Sequence, residues 1–448
     1  MRRAPSTAWR HLCAVRLALT SETVLFRRTP RRKNDLRLRR VVVTGLGCVT
    51  PCGIGAERLW GAVVRGESGI RRISRFDTAG CASQVGGEVH GFNAADFLAH
   101  REIEAFSPYV HFGVAAARMA WEDAGASARA LDVDRVAVFL GSAVGALGRV
   151  AQDGAVFAEK GIGRVHPMLP LQYPGTLPSE IAIALGLRGP AYSVSTACTA
   201  GADAAGLAAG LISGGVIDAA LVGGSDWPLF PILFAGFDRL QVLSRLNDPP
   251  ERASRPFSRD RNGFVLSEGA GVVMLEAENV ARRRDARVYA ELAGFGATSD
   301  AHHHLRPDPE GRQGDRAVLL ALEQAGVRPD EVDYINAHGT STPKNDAVET
   351  AIIKRVFGER AYRIPMSSSK SMLGHMIGAS AAVELILAVL SVRDHIVPPT
   401  INVVEPDPEC DLDYVTDGAR RMPVRVALST SFGFGSRNAA LVVRQWGG

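Results

Sequence analysis

Ala191-Tyr192-Ser193-Val194-Ser195-Thr196-Ala197-Cys198-Thr199-Ala200-Gly201 is a short β-prone run that ends in small residues and a single cysteine. The run that follows, Ala200 to Ile212, is built almost wholly of Ala, Gly, Leu and Ile. The pattern predicts strand, tight turn and buried helix, with Cys198 at the helix N-terminus. Unpaired backbone N–H groups and the positive end of the helix dipole gather there. Both favour a thiolate, the reactive form of cysteine, so Cys198 is a candidate nucleophile. The small neighbours leave room for other segments to reach the sulfur. A cysteine with a packing role alone is the alternative, and the partners supplied by the rest of the chain decide between the two.

Outward from this stretch, several segments repeat its plan. Arg40 to Gly47 reads as a β-branched strand and a close turn. Gly45-Leu46-Gly47 lacks the third glycine of a dinucleotide fingerprint, so no nucleotide site is assigned, and Cys48 and Cys52 read as packing residues. Residues 107–125 read as a helix. Val136 to Leu140 reads as a buried strand running into Gly141-Ser142-Ala143-Val144-Gly145, and Ala219 to Gly224 as another strand. Residues 332–337 run into His338-Gly339-Thr340-Ser341-Thr342-Pro343. Residues 363–369 run into Lys370-Ser371-Met372-Leu373-Gly374-His375, then an apolar helix to about Val392. Residues 424–429 run into Phe432-Gly433-Phe434-Gly435. Apolar strands alternating with helical patterns predict an α/β fold with largely parallel sheets. Four strand ends therefore deliver Cys198, His338, Lys370 with His375, and a Gly-Phe-Gly turn. Ligand sites of α/β proteins lie beyond the carboxyl ends of strands.

Composition sets bounds on this reading. The sequence has 448 residues, 46% of them hydrophobic, and no apolar run reaches the ~18 residues of a membrane helix, so no membrane contact is expected. Six cysteines form no CxxC pair, which fits reduced thiols better than a disulfide framework. The net charge of +4 hides an asymmetry, because residues 1–40 hold 12 Lys+Arg against 2 Asp+Glu and the remainder is mildly acidic. The globular part therefore does not call for a nucleic-acid partner. The Arg-rich, acid-poor head reads as a basic N-terminal extension or a transit peptide. The expected location is cytoplasmic, or the mitochondrial matrix or plastid if the head directs import.

Cys198, His338 and His375 stand 140 and 37 residues apart, without the local arrays of a zinc site, so no metal is expected. Cys–His nucleophilic catalysis is a second reading, and one imidazole suffices for it. Two imidazoles and a Lys imply more charge to manage. Two N–H donors aimed at one carbonyl stabilise an enolate, which suits decarboxylation followed by carbon–carbon bond formation.

With these motifs in hand, residues 39–445 resemble the β-ketoacyl-acyl-carrier-protein synthases of the elongating type, within the thiolase-like superfamily. The resemblance rests on Val194 to Thr199, Ser254-Arg255-Pro256-Phe257, Gly263 to Gly269, Asn336 to Pro343, Ser369 to His375 and Ser431 to Gly435 in combination. It implies a thiolase-like five-layer αβαβα fold with two similar halves, an N-terminal half over 41–291 with the nucleophile and a C-terminal half over 292–448 with both histidines. It also implies a homodimer, an acyl carrier protein as partner, and no intrinsic cofactor beyond the phosphopantetheine arm that carries the substrate.

Carried over by position, the resemblance makes Cys198 the acyl acceptor. His338 and His375 would contact the malonyl thioester carbonyl, and Lys370 would hold charge near His338. The backbone N–H groups of Cys198 and Phe434 would form the oxyanion hole, with the Phe434 ring as a gate. Thr340 and Thr342 would bind the pantetheine arm, and Val144 and Phe237 the acyl chain. Asp346, Glu349 and Glu384 would support the site from within, against the alternative of surface pairing. The sequence departs from the family at Ser436-Arg437, at Leu305 where relatives place Thr, and at Gln241 where an Arg often faces the carrier. Arg101 or Arg239 is then the expected carrier contact. The alternatives are the ketosynthase subunit of a type II polyketide system and a non-catalytic chain-length-factor-like partner, which would lack the nucleophile.

Overall fold

A computed structural model describes residues 38–127 and 130–447. The basic head to Arg37 lies outside the described residues. Arg39 and Arg40, assigned above to that head, belong to the body instead. Arg39 pairs with Asp218 at 2.7 Å, and Arg40 with Glu278 and Glu291 at 3.1 and 2.8 Å.

The first half contributes strands β1 (Val41–Thr50), β2 (Val136–Gly141), β3 (Ala191–Val194), β4 (Ala219–Asp226) and β5 (Gly269–Ala277). The second contributes β6 (Ala290–Ser299), β7 (Tyr334–Asn336), β8 (Met366–Ser367), β9 (Val426–Gly433) and β10 (Arg437–Arg444). Their spatial order is β3-β2-β4-β5-β1 in one half and β8-β7-β9-β10-β6 in the other. The two orders are the same permutation, so the halves share one topology. They join through β1 and β6, which pair antiparallel at Val42 and Val43.

The expectation of largely parallel sheets is corrected. Pairing is parallel around β2 and β7, but β4–β5, β5–β1, β9–β10 and β10–β6 are antiparallel. The cause is chain order. β10 returns beside β9 directly through residues 434–436, and β5 returns beside β4 after the long connection 227–268, so neither pair is joined by a parallel crossover.

Helices α1 (Pro108–Asp123) and α2 (Thr176–Leu185) cover the outer face of the first half. Between the halves lie α3 (Ala200–Ser213) and, beyond α4 (Arg312–Ala325) and α5 (Pro343–Phe357), α6 (Ser380–Asp394). α4 and α5 cover the outer face of the second half. α6 is buried at every position from Ser380 to Val392, as its nearly uniform apolar composition requires of a central helix. The layers are therefore helix, sheet, helix, sheet, helix.

Gly45 and Gly47 are not in a turn, as their sequence predicted, but inside β1. A Cβ at either would stand 2.1 Å from a carbonyl oxygen of α1, of Ala120 or Ala116. These glycines serve close packing of helix on strand.

Candidate active site

Cys198 sits in a single 3-10 turn, Ala197–Thr199, between β3 and α3. Ala197 holds φ of 55°, a left-handed conformation that costs a non-glycine residue roughly 1–2 kcal/mol. Asp203, one turn into α3, holds the bend in place. Its Oδ2 accepts from Thr196 Oγ1 at 2.5 Å and from Thr199 Oγ1 at 2.8 Å. The strained bend aims the sulfur away from its own helix and toward segments delivered by the second half.

Those segments bring His338, Lys370, His375 and the Phe434 turn to the sulfur. His375 Nε2 lies 3.1 Å from Cys198 Sγ. The rings of His338 and His375 are 5.5 Å apart and nearly perpendicular. Lys370 Nζ donates to His338 Nδ1 at 3.3 Å, since an ammonium has no acceptor. That fixes the His338 proton on Nε2. Lys370 also donates to Glu384. Glu384 Oε2 has no partner among the described residues. Burial pushes the Glu384 carboxyl up, against the pull of Lys370.

The electrostatics overturn one expectation. Burial pushes the Cys198 thiol up to about 11, against the N–H of Phe434 and the charge of Lys370. The helix N-terminus therefore does not by itself yield a thiolate. Burial, with Lys370 nearby, also holds both histidines well below the usual imidazole range. The resting site is a neutral thiol beside two neutral imidazoles. The backbone N–H groups of Phe434 and Cys198 both pull the thiol down, against the burial that raises it.

The three ligand atoms of Cys198, His338 and His375 lie within 4.8 Å of one another, close enough to hold a cation. The Lys370 ammonium on His338 sets a like charge against one. The His302–His304 cluster lies on a loop, and His303 Nδ1 there accepts the N–H groups of Leu305 and Arg306 at 2.9 and 3.2 Å. A groove of about 680 Å³ bordered by Pro51, Cys52, Glu67, Arg71 and Asn402 contains none of the converging groups.

The carboxylates are internal. Glu349 accepts the N–H of His338 and of Gly339, both at 2.8 Å, and Thr430 Oγ1 at 2.7 Å. Burial pushes its carboxyl up to about 7. Asp346 accepts the Phe257 N–H at 2.9 Å and faces Arg261 at 3.5 Å. Thr340 and Thr342 share a hydroxyl–hydroxyl hydrogen bond of 2.9 Å. Phe237 stacks edge-on with Phe264 at 5.9 Å, and Phe264 meets the His375 ring at 5.3 Å. Phe434 packs in the same apolar cluster.

Val144 is half-buried on the loop after β2. That loop is held by Asp226, whose carboxylate accepts Ser142 Oγ and the N–H groups of Ala143, Val144 and Gly378. One buried acid thus ties the loop to the segment just after His375. Ser436 is accommodated in a left-handed turn. Its hydroxyl accepts the N–H groups of His302 and His303 at 3.2 Å and donates to the His303 carbonyl at 2.9 Å. Arg437, Gln241, Arg101 and Arg239 are exposed, and Leu305 is half-buried. Asp203, Asp226, Phe264 and Ser380 were missed by sequence reasoning. An acid one turn into an Ala/Gly helix, and another ending a Gly-Gly strand, were the available signals for the first two.

Comparison with known proteins places this geometry. Residues 38–281 match the family described as "Beta-ketoacyl synthase, N-terminal domain", and residues 289–404 its C-terminal domain. A 3-oxoacyl-[acyl-carrier-protein] synthase 2 of Synechocystis sp. is 42% identical over 92% of this chain and 99% of its own. A Streptomyces halstedii protein named as a polyketide beta-ketoacyl synthase is 44% identical over 90% of this chain and 98% of its own. The solved ishigamide ketosynthase/chain length factor superposes with a TM-score of 0.86 at 36% identity, covering 92% of this chain and 100% of that one. A type II polyketide ketosynthase solved with its acyl-carrier protein gives 0.84 at 34%, with the same coverage.

Proposed function

This chain belongs to the beta-ketoacyl synthase family, and from that premise we propose that it joins malonyl units to acyl chains in fatty-acid elongation, as a 3-oxoacyl-[acyl-carrier-protein] synthase. It is an acyltransferase of the condensing type. The single observation that carries the reading is the convergence of Cys198, His338 and His375, whose ligand atoms lie within 4.8 Å of one another, with His375 Nε2 3.1 Å from the sulfur.

An acyl chain arrives as a thioester on the phosphopantetheine arm of an acyl carrier protein, past the paired hydroxyls of Thr340 and Thr342. Cys198 passes its proton to His375 Nε2, and its sulfur attacks the thioester carbonyl. The N–H groups of Cys198 and Phe434 hold the oxyanion. The carrier thiol leaves with the proton. Malonyl carrier then docks, with its thioester oxygen against the Nε2–H groups of His338 and His375. The carboxylate leaves as CO2, the enolate carbon attacks the acyl-Cys198 carbonyl, the bond from that carbon to the Cys198 sulfur breaks, and the ketoacyl product departs on the carrier while the freed thiolate takes up a proton from solvent. Lys370 keeps His338 a donor. Glu349, Asp346 and Glu384 hold the segments in register. Phe237 and Val144 line the path of the chain, and the exposed Arg239 or Arg101 meets the acidic carrier.

β3 ends the sheet with Tyr192 exposed and its outer edge unpaired among the described residues. A second copy of the chain would cover that edge, which supports a homodimer. No helix among the described residues is long and apolar enough to cross a membrane. We place the reaction in the cytoplasm, or in an organelle if the head directs import.

The test supplies acyl carrier and malonyl carrier and follows CO2 and ketoacyl product separately. The parent should yield both, and Cys198→Ala should release CO2 without product. Condensation by Cys198→Ala would sink the mechanism. The resemblance to polyketide ketosynthases favours a second reading, in which one primer is extended repeatedly without reduction. A single two-carbon extension per primer supports the first reading, and poly-β-keto products the second.

A further inference from the structure

Ser380 is the first residue of α6 and is buried. Its hydroxyl oxygen lies 2.9 Å from His375 Nδ1 and accepts the Met376 N–H at 2.8 Å. On the far side of the ring, Nε2 faces Cys198 Sγ at 3.1 Å. A neutral imidazole carries one proton, so the group on Nδ1 decides whether Nε2 presents a lone pair or an N–H. His338 has no choice, because its Nδ1 faces an ammonium that only donates. His375 differs. The Met376 N–H takes one lone pair of the Ser380 oxygen, leaving one further lone pair and the O–H for Nδ1. His375 Nδ1 is the one acceptor in reach of that O–H among the described residues; when Nδ1 carries the proton the O–H gives up that partner, and the Cys198 S–H gains Nε2 as its acceptor instead.

We propose that Ser380 is a two-way partner that lets His375 accept a proton from Cys198 during acyl transfer and donate an N–H to the malonyl thioester during condensation. The inference rests on the condensing-enzyme reading. In acyl transfer, Nδ1–H donates to Ser380 Oγ and Nε2 takes the Cys198 proton. The sulfur lone pair forms the new C–S bond, the bond from the acyl carbon to the carrier sulfur breaks, and the leaving thiolate recovers the proton from Nε2. While the carriers exchange, the ring loses its Nδ1 proton to water and gains one at Nε2, and the Ser380 O–H turns to donate to Nδ1. In condensation, Nε2–H donates to the thioester oxygen as the bond to CO2 breaks and its electron pair becomes the enolate. Ser380 touches no reacting atom and is a positioning residue. The other groups facing the His375 ring are Lys370, His338 and the Phe264 edge.

The experiment compares full-length parent, Ser380→Ala and Ser380→Thr in three readouts. These are acylation of Cys198 by intact mass, malonyl decarboxylation by CO2, and the 15N shifts of the His375 ring. The ring is read with Cys198 free and with Cys198 capped by iodoacetamide, which needs no carrier. In the parent, the protonated nitrogen should move from Nδ1 to Nε2 on capping. In Ser380→Ala the shifts should not invert, and acyl transfer, in which the His375 ring becomes charged, should fall about tenfold, as loss of a hydrogen bond to that group implies. Ser380→Thr should restore both, with melting temperatures close throughout. The same tautomer in both parent states overturns the proposal. So does Ser380→Ala with acyl transfer within about twofold of the parent, or with the inversion intact. A parent that inverts its tautomer but transfers no acyl group would refute the condensing reading and not the role of Ser380.

Discussion

Glu349→Gln separates the two histidines experimentally. The Glu349 carboxylate accepts Gly339 N–H on one oxygen and His338 N–H and Thr430 Oγ1 on the other, all within 2.8 Å. Glutamine has the same shape but one acceptor, so on one side its NH2 must face a buried donor. A buried donor left unsatisfied costs about 1–3 kcal/mol. Weakening the bonds that remain, once the charge is gone, adds about 0.5–1.5 kcal/mol. Above pH 8, where the Glu349 carboxyl is ionised, the expected loss is therefore about 1.5–4.5 kcal/mol of stability, read from the denaturant midpoint. Relaxation of the clash displaces the His338 backbone, and misplacement by about 1 Å costs a catalytic group on the order of 100-fold. His375 hangs from a different segment, tied to Ser380 and, through Gly378, to Asp226. Malonyl decarboxylation should thus fall by about 10–100-fold, while acyl transfer to Cys198 stays within about threefold. Equal losses in both half-reactions, or an unchanged midpoint, would refute the assignment of Glu349 to the His338 turn.

Three further outcomes follow from the same geometry. With the Cys198 thiol at about 11, deprotonation lies far above neutrality, so its alkylation by iodoacetamide in the free enzyme should rise about tenfold per pH unit from 7 to 9; a plateau below pH 8 would rule out the neutral resting pair. Lys370→Met leaves Glu384 buried without its partner and should cost about 3–5 kcal/mol, part of which Lys370→Met with Glu384→Gln recovers; a double variant no more stable than the single one would show that the pair is not coupled. Val144→Phe should exclude long acyl chains from Cys198 by overpacking of roughly 1–3 kcal/mol while sparing short primers; uniform loss across a chain-length series would make Val144 ordinary core.

The chemistry of this chain was legible because it is local. Each functional side chain stands just beyond a β-prone run, and small residues or glycines mark where the chain turns. Composition and periodicity therefore place Cys198, His338, Lys370, His375 and the Phe434 turn at strand ends. They also mark an apolar helix to about Val392, which the structure shows as α6, buried from Ser380 to Val392. The motif order did the same for the family. Periodicity carries no partner information, so a strand reads alike whether its neighbour runs parallel or antiparallel, and the mixed sheets were hidden. A glycine likewise reads as a turn unless the helix above it is known, which is why Gly45 and Gly47 were misread.

The tertiary structure alone decided which groups act on one another. Cys198 and His375 are 177 residues apart, and only the packing of α3 against α6 between the two halves brings them to 3.1 Å. The same packing strips water from the sulfur, which raises the thiol pKa against the helix dipole that the sequence displays. It joins Asp226 to Gly378 and Ser380 to Nδ1 of His375. It also repeats one strand order in the two halves. Local residue pattern was enough to place the reactive groups and the elements that carry them. Their protonation, partners and distances were set by burial and long-range packing, which depend on contacts between segments far apart in the chain.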